Sequence, residues 1–253
     1  MPKHDASDPR DPAPVQIGTR PAPDTFSIHV TEGGPYVVSG QPPLAQQFIT
    51  PNAAGKSWEY VQGETFALPE GTRLCRCGQS RTAPFCDGSH ATADVDLRET
   101  ASFEPLLAHS EAIEGPTRTL TDNEAYCAYG RFCDAGERIW NQVTAGGDAS
   151  DRLTERMAHH CPGGRLLVFD NATGQPVEPV VAPALGLIED PGIGASGPLM
   201  VQGGIRVVSA GGRTYEVRTR QALCRCGGSS NKPFCDGTHA SMHFHDGLPG
   251  HRG

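Results

Sequence analysis

Apolar residues in this 253-residue chain fall into short runs that Gly and Pro close off, a pattern of brief strands and turns rather than long helices. Gly34-Pro35-Tyr36-Val37-Val38-Ser39-Gly40 reads as a strand opened by Gly-Pro and closed by Gly, and Gly197-Pro198-Leu199-Met200-Val201-Gln202-Gly203 repeats it. A second strand is expected after each, at Ser57-Trp58-Glu59-Tyr60-Val61 and at Arg213-Thr214-Tyr215-Glu216-Val217-Arg218. Between its Gly-Pro strand and its cysteines, the first copy holds about fourteen more residues than the second. The stretch separating the copies differs in character. Thr121-Asp122-Asn123-Glu124 has the form of a helix start, Asp151 to His160 continues as a helical run, and Arg165 to Asp170 reads as a strand turned by Asn171 to Gly174.

Composition narrows this to small modules. Apolar content is 37%, with Gly 31 and Pro 22, so the cores are expected to need help from metals or covalent links. The formal charge of -8 and the lack of any Lys/Arg-dense run argue against nucleic acid. No apolar stretch is long enough for a membrane span. Met1 to Asp24 is rich in Pro, Asp and Arg without an apolar centre, unlike a secretory or transit peptide, and is expected to be a disordered tail. These features predict a soluble, cytoplasmic protein. Nine cysteines in such a chain point away from disulfides, and they sort into three groups of three.

Two of those groups carry one ligand pattern. Cys75-Arg-Cys77-Gly-Gln-Ser80-Arg-Thr-Ala-Pro84-Phe-Cys86-Asp87-Gly88-Ser89-His90 is matched by Cys224-Arg-Cys226-Gly-Gly-Ser229-Ser-Asn-Lys-Pro233-Phe-Cys235-Asp236-Gly237-Thr238-His239. Three soft thiolates and an imidazole fit zinc or an iron–sulfur cluster. The single residue inside each C-x-C is tight for one tetrahedral ion, since zinc sites usually space that pair by two to four. It suits two thiolates on one iron of a binuclear cluster, with Cys86 and His90, or Cys235 and His239, on the other. The i, i+4 spacing sets the last Cys and His on one face of a helical turn, which Asp87 or Asp236 could cap.

Both copies resemble the CDGSH (NEET) family, down to the Ser and Pro between the ligands, over roughly half the chain. The resemblance implies a [2Fe–2S] cluster in each copy, held by Cys75, Cys77, Cys86 and His90 and by Cys224, Cys226, Cys235 and His239. Ser80, Pro84, Asp87 and Gly88, with Ser229, Pro233, Asp236 and Gly237, are expected to shape the two cluster loops. Members pair under a shared β-cap, so a monomeric intramolecular pseudo-dimer is expected here. The family also implies tunable electron transfer and acid-labile, transferable clusters. Replacing one thiolate by neutral imidazole raises a cluster's potential, and imidazole titrates near neutral pH.

The third group is Cys127, Cys133 and Cys161. Cys127-x5-Cys133 with Cys161-Pro162 resembles single-cluster ferredoxins, particularly those holding [3Fe–4S], with Gly130 in place of a middle cysteine. The resemblance implies a third cluster, [3Fe–4S] or, with another fourth ligand, [4Fe–4S]. Zinc, or buried thiols left from a lost cluster, are the competing readings. His159, His160, His243, His245 and His251 read as solvated rather than ligating, and Tyr36, Trp58 and Tyr60 as cap residues. Gly192-Ile-Gly194-Ala-Ser-Gly197 precedes a strand instead of opening a helix, so it is no nucleotide loop.

The resulting expectation is an α+β, β-rich chain. It comprises a tail (1–24), a first CDGSH module (25–101), a ferredoxin-like middle segment (102–190) and a second CDGSH module (191–253). Proton-coupled electron transfer leads, with a ferredoxin or flavin reductase or another oxidoreductase as redox partner. Cluster storage and delivery to an apo-protein is the alternative. A redox enzyme using an open iron of the middle cluster ranks last, and no catalytic residue is assigned.

Overall fold

Residues 13–250 are described in the computed structural model of the chain. The first half contributes β1 (Ser27–Val30), β2 (Tyr36–Ser39), β3 (Leu44–Pro51), β4 (Ser57–Phe66) and β5 (Thr72–Leu74). The middle contributes β6 (Glu111–Glu114), β7 (Arg118–Asp122), α1 (Ile139–Ala145), α2 (Asp148–His159) and β8 (Leu166–Asp170). The last part holds β9 (Ala184–Asp190), β10 (Ala195–Gln202), β11 (Arg206–Val208), β12 (Arg220–Leu223) and α3 (Thr238–Ser241). Mixed, β-rich architecture was expected and is what the chain adopts.

The strands form three sheets, ordered β11-β1-β2-β5, β12-β10-β9-β3-β4 and β6-β7-β8. Each of the two larger sheets mixes the halves. β1 lies parallel to β11, with Ile28 opposite Val207, and β3 lies parallel to β9, with Gln46 opposite Leu187. Parallel neighbours cannot be joined by a tight hairpin, so these pairings bring together segments far apart in sequence. In β2 the residues alternate, Tyr36 and Val38 buried and Val37 and Ser39 half-buried, as a strand with one covered face should. β10 is buried from Ala195 to Val201, in keeping with its central position between β9 and β12. Ile28, Tyr36, Val38, Leu187, Leu199 and Val207 meet in one core, each large side chain contributing about 1.5–3 kcal/mol by leaving water.

The middle segment has its own core of Leu120, Ile139, Val143, Met157 and Val168. It docks on the β3–β4 hairpin, which accounts for the longer first copy. Arg156 stacks on Trp58 and donates to its carbonyl at 2.7 Å. Tyr60 OH donates to the His160 carbonyl at 2.8 Å, and Asn52 Nδ2 to that of Ala135 at 2.9 Å.

Four expectations change. Thr121 and Asp122 close β7, and Asn123, not Thr121, caps a single 3-10 turn over Glu124–Tyr126; pairing with β8 overrides the local helix signal. Residues 213–218 make only isolated bridges, at Thr214 and Val217. Residues 1–12 of the expected tail lie outside the described residues. Residues 13–24 are not a free tail, because Gln16 N–H donates to Val217 O at 2.9 Å and Ala22 N–H to Gly204 O at 3.0 Å. The boundary drawn at 190/191 falls between β9 and β10, which are paired. The Gly192–Gly197 run leads through a turn into β10.

Since the two large sheets are built from both halves, a fragment ending at Ala101 leaves β1 and β3 without their parallel partners. Such a fragment is expected to show no cooperative urea transition by circular dichroism, whereas the whole chain unfolds in one or two steps.

Candidate metal centres

The two ligand loops share their backbone hydrogen bonds. Cys75 N–H donates to Pro84 O at 2.9 Å and Cys224 N–H to Pro233 O at 2.8 Å; Cys86 N–H reaches Arg73 O and Cys235 N–H Ala222 O, both at 2.9 Å. Ser80 Oγ and Ser229 Oγ each donate to the carbonyl of the following Phe at 2.6 Å. Both motif prolines follow cis peptide bonds. Asp87 accepts from Arg81 N–H and Ser89 N–H, both at 2.9 Å; Asp236 accepts from Ser230 N–H at 2.8 Å and Thr238 N–H at 3.1 Å. The aspartate thus ties the loop to the start of the next turn, and its hydrogen bonds hold the Asp87 carboxyl below the usual range. Gly88 and Gly237 adopt φ 89°, a left-handed conformation that a side chain resists.

Donor spacing is that of metal ligands. Cys75 Sγ and Cys77 Sγ are 3.6 Å apart, and Cys224 Sγ and Cys226 Sγ 3.8 Å. Two sulfurs at about 2.3 Å from one tetrahedral metal stand about 3.8 Å apart. Cys86 Sγ is 3.3 Å from His90 Nδ1, and Cys235 Sγ 3.4 Å from His239 Nδ1, again close to the sulfur–nitrogen edge of about 3.5 Å in such a tetrahedron. Yet among the described residues no three or more Cys, His, Asp or Glu side chains converge enough to hold one ion. Each loop thus presents two donor pairs, Cys–Cys and Cys–His, each at metal-ligand spacing.

Within each C-x-C pair one thiol is eased toward thiolate while its partner, Cys77 or Cys226, is pushed well up by donating to it and by burial. A hydrogen bond from Cys77 holds the Cys75 thiol down to about 6, and one from Cys226 holds Cys224 to about 7. All nine cysteines are free. Apolar cover comes from just beyond each motif, with Val95 and Leu97 on Cys75 and Cys77 and Phe244 on Cys224 and Cys226. The arginine inside each C-x-C points inward. Arg76 Nε donates to Gly34 O at 2.6 Å, and Arg225 Nε to Gly197 O at 2.9 Å, so each ligand loop is pinned to its own Gly-Pro turn. Gly78 and Gly227 let the loops meet back to back, because a Cβ at either position would sit 2.6 Å from Cys226 O or 2.7 Å from Cys77 O.

A family profile described as iron-binding zinc finger, CDGSH type, matches residues 33–91 and 196–240. Two CDGSH domains lie in tandem in this chain. No curated protein and no solved structure matches the chain. CDGSH domains bind iron–sulfur clusters, and the thiol and imidazole donors of both loops are of the types such a group takes.

The two CDGSH sites differ in their cover. At the first, Cys86 and His90 are half-exposed, and a Cβ on Gly88 would meet nothing within 4 Å. At the second, Cys235 and His239 are each 3% exposed, and burial pushes the His239 imidazole down to about 4. The cover is the middle segment. Ala128 packs on Cys235 and Ala222, and a Cβ on Gly237 would stand 3.0 Å from Cys127 O. Tyr36, from the first half, also supports this site, donating to Cys224 O at 2.8 Å and Pro233 O at 3.0 Å.

Cys127, Cys133 and Cys161 line one recess, with Gly130, Pro162 and Arg165. Burial pushes the Cys133 thiol up to about 12 and raises Cys161 as well. His159 and His160 are not ligands there, and neither is simply solvated; His159 Nε2 is 2.7 Å from Val177 O and His160 Nδ1 2.8 Å from Arg156 O. His243 is exposed beside a buried Phe244, and His251 lies outside the described residues. Among the described residues no helix is long and apolar enough to cross a membrane.

Gly88→Ala is expected to cost about 1–2 kcal/mol through its left-handed φ alone. Gly237→Ala adds pressure on the Cys127 carbonyl, so its urea midpoint should fall further than that of Gly88→Ala. Tyr36→Phe takes the hydroxyl donor from the buried Cys224 carbonyl, while Pro233 O keeps the Cys224 N–H, and should lower stability by about 1–3 kcal/mol in the same measurement.

Proposed function

We propose that the chain is an iron–sulfur electron carrier with two [2Fe–2S] clusters and a third, [3Fe–4S] or [4Fe–4S], at Cys127, Cys133 and Cys161, acting in the cytoplasm as an intramolecular pseudo-dimer. The observation that carries this reading is the division of each CDGSH donor set into two pairs at metal-ligand spacing. Bound clusters supply one-electron redox chemistry. Cys75 and Cys77 hold one end of the first centre and Cys86 with His90 the other. His90 Nδ1 is the atom turned to Cys86, so Nδ1 would hold the group and Nε2 would remain for proton exchange with solvent. Half-exposed His90 is better placed for that exchange than buried His239. The strand exchange between halves supports the pseudo-dimer, since it makes one cap of two modules.

For the middle centre, the support is convergence of three buried or half-buried thiols on a recess that also holds Arg165. A flavin- or iron–sulfur-containing reductase is the proposed partner. Cluster delivery is a second reading, favoured by the open face at Gly88.

Iron and sulfide analysis tests the cluster count. Two [2Fe–2S] centres give about four iron per chain, and a further [3Fe–4S] gives about seven with an EPR signal in the oxidised state. Cys133→Ala should remove about three iron and that signal while leaving the other four. Zinc without visible absorbance rules the reading out. Repeated reduction by a flavin reductase with iron retained marks a carrier; movement of iron to an apo-ferredoxin, blocked by His90→Cys, marks a donor.

A further inference from the structure

Among the described residues five arginines are almost fully buried, and four of them are paired or hydrogen-bonded. Arg165 meets Asp122, Arg220 meets Glu178, and Arg225 meets Glu189 and Asp246. Arg76 donates to three carbonyls. Arg218 is the exception. It is 2% exposed, and neither Nη1 nor Nη2 has a hydrogen-bond partner among the described residues. The nearby Glu216 acts on it through its charge, while accepting the Leu106 N–H at 2.8 Å and making no ion pair with the guanidinium among the described residues. Burying an unpaired cation is strongly unfavourable, and the stacking it makes offsets only part of that cost.

That stacking shows where the charge lies. The guanidinium sits 4.4 Å from the Tyr126 ring and 4.8 Å from the Phe234 ring, and these rings touch edge to face at 5.2 Å. Tyr126 immediately precedes Cys127, and Phe234 immediately precedes Cys235. Ala128 joins the two sites by packing on Cys235. A thiolate-ligated cluster is anionic and gains a further negative charge on reduction, which is the compensation this cation lacks. In the first copy Pro69 stands six residues before Cys75, where Arg218 stands six before Cys224.

We propose that Arg218 is a shared counter-ion of the second CDGSH cluster and the middle cluster, coupling these two centres and leaving the first one outside the unit. This rests on the cluster assignment above. It makes Arg218 a positioning charge that raises both potentials, and it makes the second domain an internal centre joined to the middle segment.

The test is a dithionite titration of the full, cluster-loaded chain with redox dyes, followed by EPR, comparing wild type with Arg218→Met and Arg218→Lys. His90→Cys identifies the first cluster's signal. Arg218→Met is expected to lower the reduction equilibrium constant of the second and middle centres about tenfold each, about 59 mV for a one-electron step. Arg218→Lys should restore most of this, with the first cluster unmoved throughout. If Arg218→Met instead loses iron, loss confined to those two centres supports the proposal and loss from all three overturns it. Equal shifts at every centre, or none, also overturn it. Wild-type iron separates the two claims: about four per chain removes the middle cluster and the shared role together, while about seven with unmoved potentials removes the role of Arg218 alone.

Discussion

Everything else in the molecule depends on the exchange of strands between its halves. β9 lies between β10 and β3, and β1 lies between β2 and β11, so neither half completes a sheet with its own strands. The consequence reaches the metal sites directly. With the sheets shared, the C-x-C loops are held back to back at Gly78 and Gly227, and Tyr36 from β2 can brace the carbonyls of Cys224 and Pro233. A chain with 37% apolar residues gains its core by combining two modules that are each too small to build one.

Charge takes the place that apolar residues hold in richer cores. Arg76 and Arg225 occupy the residue between paired cysteines, where a surface loop would be the ordinary expectation for arginine. Both turn inward to backbone carbonyls, and Arg225 also meets Glu189 and Asp246. These contacts fix the geometry of each ligand loop.

The ligand sets were legible because they are local: every donor of a CDGSH site lies within one sixteen-residue loop, and the Ser, Pro, Asp and Gly between them make hydrogen bonds inside that loop. Strands bounded by Gly-Pro and Gly were legible for the same reason. What could not be read is non-local. Parallel pairing of β3 with β9 leaves no mark on either segment. The Thr121 helix signal loses to pairing with Leu167 across β7 and β8. Residues 13–24 look like a tail in composition, yet they find backbone partners at Val217 and Gly204. The extra length of the first copy was visible, but its use as a platform appears only when Trp58 and Tyr60 are seen against Arg156 and His160.

A duplicated sequence need not give two equivalent sites. The strand exchange makes the loops equivalent in their hydrogen bonds, while the middle segment breaks that equivalence by settling on one of them. It leaves Gly88 open and presses the Cys127 carbonyl toward Gly237. The same motif then has a half-exposed imidazole in one copy and a buried one in the other. Burial disfavours a charged imidazole in the second copy, so under the electron-carrier reading proposed above the more open first copy is the one placed to exchange with the outside, and the second is left to communicate through the segment that covers it.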